Sequence, residues 1–228
     1  MEVHSDLDLI IIGKTGNGKS ATGNSILREL DVFKSAYNTT SITDFPQTGI
    51  IKVVDCPGVL DTDIDETGAD ELVKEALQYA LLANPSGYDA FLIVVKFSQR
   101  FTKEEQDSIK ILKRILGKDV IKTHGIVVIC NGDTFEHFSK TQGLTIEEFC
   151  TQQKGYFKKL LKECKNRVIV FDNITEDETI KNKQLEILIK AVDTLKANTS
   201  KYTTQHFQKA NDLTEAISRE KKLFTYQS

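Results

Sequence analysis

The feature that most restricts this chain is the junction between Leu7–Ile12 and the eight residues Gly13-Lys14-Thr15-Gly16-Asn17-Gly18-Lys19-Ser20. The first segment is an apolar run interrupted only by Asp8, which reads as a strand buried on both faces of a parallel sheet. The second matches the phosphate-loop spacing of Gly, four residues, then Gly-Lys-Ser. Such a loop works where a strand ends and a helix begins. Its glycines turn successive backbone N–H groups inward toward phosphate oxygens, and the helix adds the positive end of its dipole. Lys19 is then placed for the β- and γ-phosphates and the Ser20 hydroxyl for Mg²⁺. The rival reading, a glycine-rich turn that happens to hold Lys-Ser, is disfavoured by the strand before and the pattern of a helix after.

Apolar runs like the first recur at 50–54, 91–95, 126–130 and 167–171, with a further extended segment at 41–45. Between them Leu72, Val73, Ala76, Leu77, Ala80 and Leu81, and again Ile109, Leu112, Ile115 and Leu116, fall at helical spacings of three and four. Thr67 with Asp70, Thr102 with Glu105, Thr145 with Glu148 and Thr175 with Glu178 have the spacing of reciprocal helix caps, and Gly117 suits a left-handed cap. The alternation predicts an α/β domain, a mostly parallel six-stranded sheet with helices on both faces. Pro46 and the 47–49 turn, between 41–45 and 50–54, predict a hairpin and hence one antiparallel edge strand. After Phe171 the pattern is helical, with stripes at Leu185, Leu188, Val192 and Leu195 and at Phe207, Ala210, Leu213 and Ile217. The expected division is a domain over 1–198 and a helical extension over 199–228, its stripe packed on the domain.

The chain has 228 residues, 39% of them hydrophobic, and 13 glycines, enough apolar material for a full core. Thirty basic against 33 acidic residues give a net charge of -3, so no basic excess points to nucleic acid. No apolar run approaches a membrane span and the first residues are acidic, so the chain is expected to be cytoplasmic. Cys56, Cys130, Cys150 and Cys164 are scattered without metal or redox spacing and are read as free thiols.

Two further segments suit a nucleotide. Asp55-Cys56-Pro57-Gly58 closes the second buried strand, where Asp55 could hold Mg²⁺ through water and the Gly58 N–H could sense the γ-phosphate. After 126–130 comes Asn131-Gly132-Asp133, and a carboxylate at Asp133 could accept from guanine N1–H and N2–H, which adenine cannot offer. Cys130 and Asn131 stand where the usual GTPase pattern has Asn or Thr and then Lys. Asn173 is positioned to reach the base from the other side, with an ordinary Asx turn as its rival reading.

These residues together carry a resemblance. The run 13–27, Ser41-Ile42-Thr43, the segment 55–62, the box Gln99-Arg100-Phe101-Thr102-Lys103-Glu104-Glu105 and the segment 166–173 resemble the immunity-associated nucleotide-binding GTPases (GIMAP or IAN, AIG-type) over about residues 7–200. The resemblance implies a septin-like G domain binding GTP or GDP with Mg²⁺. It implies nucleotide contacts from Gly16, Gly18, Lys19, Ser20 and Ala21, base contacts from Asp133 and Asn173, and a switch threonine at Thr43, with Thr39 and Thr40 as alternatives in the same stretch. It further implies a regulatory role in immune or stress responses, nucleotide-dependent dimers or oligomers, and room for peripheral attachment to the cytosolic face of intracellular membranes.

The leading reading is therefore a guanine-nucleotide switch. Val59 stands where many small GTPases carry a water-orienting glutamine, so slow hydrolysis is expected. The pairing across the nucleotide face that the resemblance implies would bring a partner's Arg100 to the phosphates, with a structural dimer contact or a plain surface arginine as rivals. The alternatives are an ATP-dependent kinase on the same loop and a scaffold that holds nucleotide without hydrolysing it. Neither a second substrate domain nor an arginine-rich lid supports the kinase.

Overall fold

The structure, a computed structural model, describes residues 6–28, 39–45, 49–55 and 66–225. In chain order its elements are β1 (Leu7–Ile12), α1 (Lys19–Leu27), β2 (Thr39–Phe45), β3 (Gly49–Asp55), α2 (Glu66–Ala83), β4 (Ala90–Lys96), α3 (Lys103–Leu116), α4 (Val120–His124), β5 (Gly125–Cys130), α5 (Gly132–Gln142), α6 (Ile146–Gln152), α7 (Gly155–Glu163), β6 (Val168–Val170), α8 (Glu178–Lys196) and α9 (Thr204–Thr225). The strands form one sheet in the order β2-β3-β1-β4-β5-β6. Its four pairings from β3 to β6 are parallel, and β2 runs antiparallel to β3. After β1 the chain goes first to one side of it and then to the other, so the strand order reverses beside β1, the position where open α/β sheets bind ligands.

Every residue of β1 and β5 is buried, because helices cover both faces. Alternate side chains then serve two separate cores. Leu7, Leu9 and Ile11, with Leu92, Val94, Ile126 and Val128, pack against Ile26 and Leu27 of α1 and against Leu185, Leu188 and Val192 of α8. Ile10, Ile12, Phe91, Ile93, Val127 and Ile129 face the other way, toward α2, α3 and α9.

Asp8, the polar interruption in β1, is buried at 3% exposure and is held in a network. Its carboxylate accepts from Asn84 Nδ2 at 2.8 Å and from Lys201 Nζ, which also lies 3.5 Å from Asp89, and its own N–H donates to Asp89 at 2.9 Å. A buried carboxylate needs such partners, since removing one leaves an uncompensated charge. The network ties the 201 segment to the start of β1 and β4. Beside it Tyr202 forms a bridge with Tyr88, donates its hydroxyl to Leu116 O at 2.8 Å and joins the α2–α3 core together with Phe207. The segment after 198 thus enters the same core as the sheet; Leu213 is exposed, while the side chain of Ile217 lies outside the described residues.

Several local expectations shift. The Thr102 N–H donates to Glu105 at 2.8 Å, and Thr145 and Glu148 cap α6 reciprocally. α2 already begins at Glu66, so Thr67 lies inside it. Asp177, not Thr175, caps α8, accepting from Thr179 N–H at 2.7 Å. Gly117 has φ 97 with ψ 147, an extended conformation open to glycine and distinct from the left-handed helical cap. The three helices α5, α6 and α7 lie between β5 and β6, where only the Thr145 cap had signalled one. Residues 46–48 of the expected hairpin turn lie outside the described residues, as does Cys56, while Cys130, Cys150 and Cys164 are free and buried.

Candidate functional site

The phosphate loop sits where the sequence places it, between β1 and α1 at the reversal in strand order. Gly13 passes so close to β4 that a Cβ there would lie 2.6 Å from Val94 O, which excludes every other residue. Gly16 (φ 82) and Gly18 (φ 87) take conformations that side chains rarely adopt, and Gly16 faces open space. That leaves a volume kept clear of side chains, which a phosphate cradle requires. Lys19 opens α1 at 8% exposure and donates to Lys14 O at 3.4 Å, which folds its ammonium back over the loop. Ser20 follows, half-buried; Thr15 and Ala21 are exposed.

Asn17 behaves differently from its neighbours. Its side chain, 4% exposed, turns down into the protein, donating to Glu105 Oε1 at 2.8 Å and Val94 O at 3.3 Å. Its side chain is thus committed to the protein interior, while its backbone N–H donates to Lys14 O at 3.2 Å. Glu105 uses its other oxygen on Thr102 N–H at 2.8 Å, so one carboxylate caps α3 and clamps the underside of the loop. Lys14 lies 3.9 Å from the neighbouring Glu104. The Gln99–Glu105 box thereby adjoins the phosphate loop, and Arg100 within it is exposed, with no ion pair among the described residues.

Three segments meet at Gly18. A Cβ on it would lie 3.4 Å from Cys130 Sγ and 3.9 Å from Asn173 Nδ2. The Cys130 thiol donates to Asn17 O at 2.9 Å, and burial pushes its pKa up, which keeps it protonated and able to donate. Asn173 Nδ2 donates to Thr22 Oγ1 at 3.0 Å, while its Oδ1 is buried without a hydrogen-bond partner. Asp172 shapes that approach, its carboxylate accepting from the N–H groups of Ile174 and Thr175 at 3.1 Å each, so the Asx turn and the site role of Asn173 coexist. Gly132 donates to Phe171 O at 2.9 Å, and a Cβ on it would come within 2.6 Å of Asp172 N. The position between Asn131 and Asp133 must therefore be glycine here. Asn131 takes a left-handed φ of 62 at the start of α5, and Asp133 lies exposed in its first turn, touched by Thr134 Oγ1 at 3.3 Å. Thr22, the inward role of Asn17 and the clamp at Glu105 were not read from the sequence.

On the metal side, Asp55 ends β3 opposite Ile11, level with the end of β1. The β2–β3 register sets Thr39 opposite Asp55 and Thr40 opposite Val54. Thr43 pairs with Ile51, four residues down the strand and about 13 Å away at ~3.3 Å per residue. The resemblance pointed to Thr43; of the three threonines it is Thr39 that shares the level of Asp55. Gly58 lies outside the described residues.

The residues present fit a nucleotide with Mg²⁺. The glycine cradle is open, Lys19 folds over it, and the orphaned Asn173 oxygen points to a missing donor. Among the described residues no group of three or more His, Cys, Asp or Glu gathers to hold a metal alone. Mg²⁺ held through one or two protein oxygens and the phosphates themselves needs no such cage.

Comparison with known proteins agrees with this geometry. Two relatives from Arabidopsis thaliana are immune-associated nucleotide-binding protein 8, 31% identical over 96% of this chain, and immune-associated nucleotide-binding protein 9, 33% identical over 94%. The chain spans 62% and 63% of the length of these relatives, less than two thirds of each. Among solved structures, Toc33 from Arabidopsis thaliana with GDP and Mg²⁺ matches with a TM-score of 0.59 at 18% identity, covering 86% of both chains. A second structure, described with the statement that dimerization is important for the GTPase activity of chloroplast translocon components atToc33 and psToc159, matches at 0.56 and 18%, covering 86% of this chain and 85% of that one. At this identity the likeness establishes the fold, that of a phosphate-loop GTPase G domain. The profile of the AIG1 family matches residues 7–222, nearly the whole sequence, and the chain belongs to the AIG1 family.

Proposed function

We propose that this protein is a GTP-binding switch that hydrolyses slowly and changes its self-association between GTP and GDP states. The observation that carries the reading is the corner at Gly18, where the phosphate loop meets Cys130 and Asn173, whose side-chain oxygen is buried and unpartnered. A nucleotide laid along the loop would reach from Lys19 to Asp133 and Asn173 at its base end. In this reading Gly13–Gly18 supply backbone donors, Lys19 holds the β- and γ-phosphates, and Ser20, Asp55 and Thr39 take the metal side. Bound Mg²⁺ neutralises charge on the phosphates. Asp133 accepts from guanine, and Asn173 Oδ1 accepts a donor from the base side.

With Val59 in place of a water-orienting glutamine, turnover is slow unless another group assists. We assign that assistance to Arg100 of a second copy. Its box touches the phosphate loop through Glu104 and Glu105, it is exposed, and dimerization is described as important for the GTPase activity of a structural neighbour. An arginine supplied in trans is worth roughly 10³ to 10⁵ in rate where it works well. The names of the relatives support placement in immune responses. Among the described residues no helix is long and apolar enough to cross a membrane.

The experiment is turnover per molecule against protein concentration, for the parent and Arg100→Ala. The reading expects the parent's specific activity to rise through the dimerisation range while the variant binds GTP normally and stays flat. A parent whose specific activity is constant across that range excludes the trans arginine.

A further inference from the structure

A second cavity lies beside the nucleotide site and shares none of its loop or base residues. It measures about 530 Å³ and sits between the ends of β4 and β5, the start of α3 and the corner that opens α7. Phe97, Phe101, Phe149, Phe157, Val95 and Ile129 give it an apolar lining. Native packing leaves few voids larger than a water molecule, and the volume falls in the range of small-molecule pockets, about 300–1,000 Å³.

Its rim is cationic. Lys96, Arg100 and Lys154 surround the mouth, and none pairs with a carboxylate among the described residues. The one acid in the lining is Glu105, and both its oxygens are already committed, to Asn17 and to the Thr102 N–H. The first turn of α7 has no acidic residue and Lys154 provides no side-chain cap, so the positive end of that helix adds to the same field.

We propose that this cavity binds a small amphiphile, an aromatic or alkyl body carrying one carboxylate or sulfonate group. The apolar body lies among the phenylalanines and the anion meets Lys96, Arg100 and Lys154. Because Glu105 lines the cavity and also clamps Asn17 of the phosphate loop, occupancy of the cavity and of the nucleotide site change each other's affinity by the same factor. The cavity itself does not depend on which nucleotide binds.

The test is fluorescence titration of the whole chain with two probes of similar body, anionic anilinonaphthalene sulfonate and neutral N-phenyl-1-naphthylamine. Saturable one-to-one binding of the sulfonate, displaced by decanoate or by a benzoate-type carboxylate, is expected. Competition by benzoate-type but not alkyl carboxylates would assign an aromatic ligand, and the reverse an aliphatic one. Lys154→Glu, an exposed change, should weaken the sulfonate about fivefold and leave the neutral probe within about twofold. Gln106→Trp, which fills the cavity from α3, should abolish both while thermal unfolding is unchanged. Saturating GDP should shift the sulfonate affinity at least about threefold in the parent. Unsaturable binding, or binding indifferent to Gln106→Trp, overturns the site. Equal weakening of both probes by Lys154→Glu overturns the anionic class, and a sulfonate affinity indifferent to GDP that has been shown to bind overturns the coupling.

Discussion

Glu105 offers the sharpest test of how the phosphate loop is held. Replacing it with alanine removes a charge-assisted bond to Asn17 at 2.8 Å and a cap bond to Thr102 N–H at 2.8 Å. Hydrogen bonds to charged groups contribute about 1.5–3 kcal/mol, and a helix cap about 1 kcal/mol. Asn17 keeps Val94 O at 3.3 Å, so its amide is not stranded and the lower end applies. Glu105→Ala should therefore destabilise the nucleotide-free protein by about 2.5 kcal/mol, and Asn17→Ala by about 1.5 kcal/mol through the shared bond. Because they share it, the double variant should fall short of additivity by about 1–2 kcal/mol, measured by urea unfolding of the parent, both singles and the double. Glu105→Ala should also weaken GDP about tenfold by loosening the loop. A coupling below about 0.4 kcal/mol, the level expected of independent sites, would refute the clamp.

Lys19→Ala should abolish tight triphosphate binding while leaving nucleotide-free stability within about 0.5 kcal/mol; a GTP affinity within about threefold of the parent, ~0.7 kcal/mol, would show the loop is not the phosphate site. His124 is buried at 5% exposure between Ser200 O at 2.9 Å and Thr123 Oγ1 at 2.8 Å, facing His206, Arg167 and Asp89, and burial lowers its pKa. The unfolded chain then takes up a proton that the folded one refuses, so stability is complete above pH ~6.5 and falls as pH drops below it, by at most about 1.4 kcal/mol per pH unit from this group. His124→Asn should be less stable at pH 7.5 but show a shallower loss toward pH 5.5; identical slopes in urea midpoints would remove His124 as the source.

The parts of this fold legible in the sequence are those written in consecutive residues. The buried run of β1 and the glycines after it fix strand, loop and helix together, because only glycine passes Val94 O at Gly13 or takes φ 82 at Gly16. The cap at Thr102 was legible for the same reason. The second role of Glu105 was not, since its bond to Asn17 spans 88 residues and neither side chain signals it. Asn17 reads as a turn residue either way. Asp8 marked itself as an exception in a buried run, but its partner Lys201 lies 193 residues away, at the start of the segment read as a helical extension. The register that separates Thr39 from Thr43 depends on how β2 pairs, which a row of threonines and serine does not fix. The helix α5 begins at Gly132 inside the base-site segment, so its stripe is not set apart from that segment by periodicity, and α7 is only nine residues long.

Guanine recognition on this loop is tested by equilibrium competition between GDP and ADP, in the parent and in Asp133→Asn. The parent should prefer GDP by about 100-fold or more, ~2.8 kcal/mol, because adenine leaves the Asp133 carboxylate without its donors. Asp133→Asn should lose most of that preference, an amide accepting from one guanine donor while setting its own N–H against the other. A parent that binds ADP as tightly as GDP, or a variant that keeps the full preference, contradicts it.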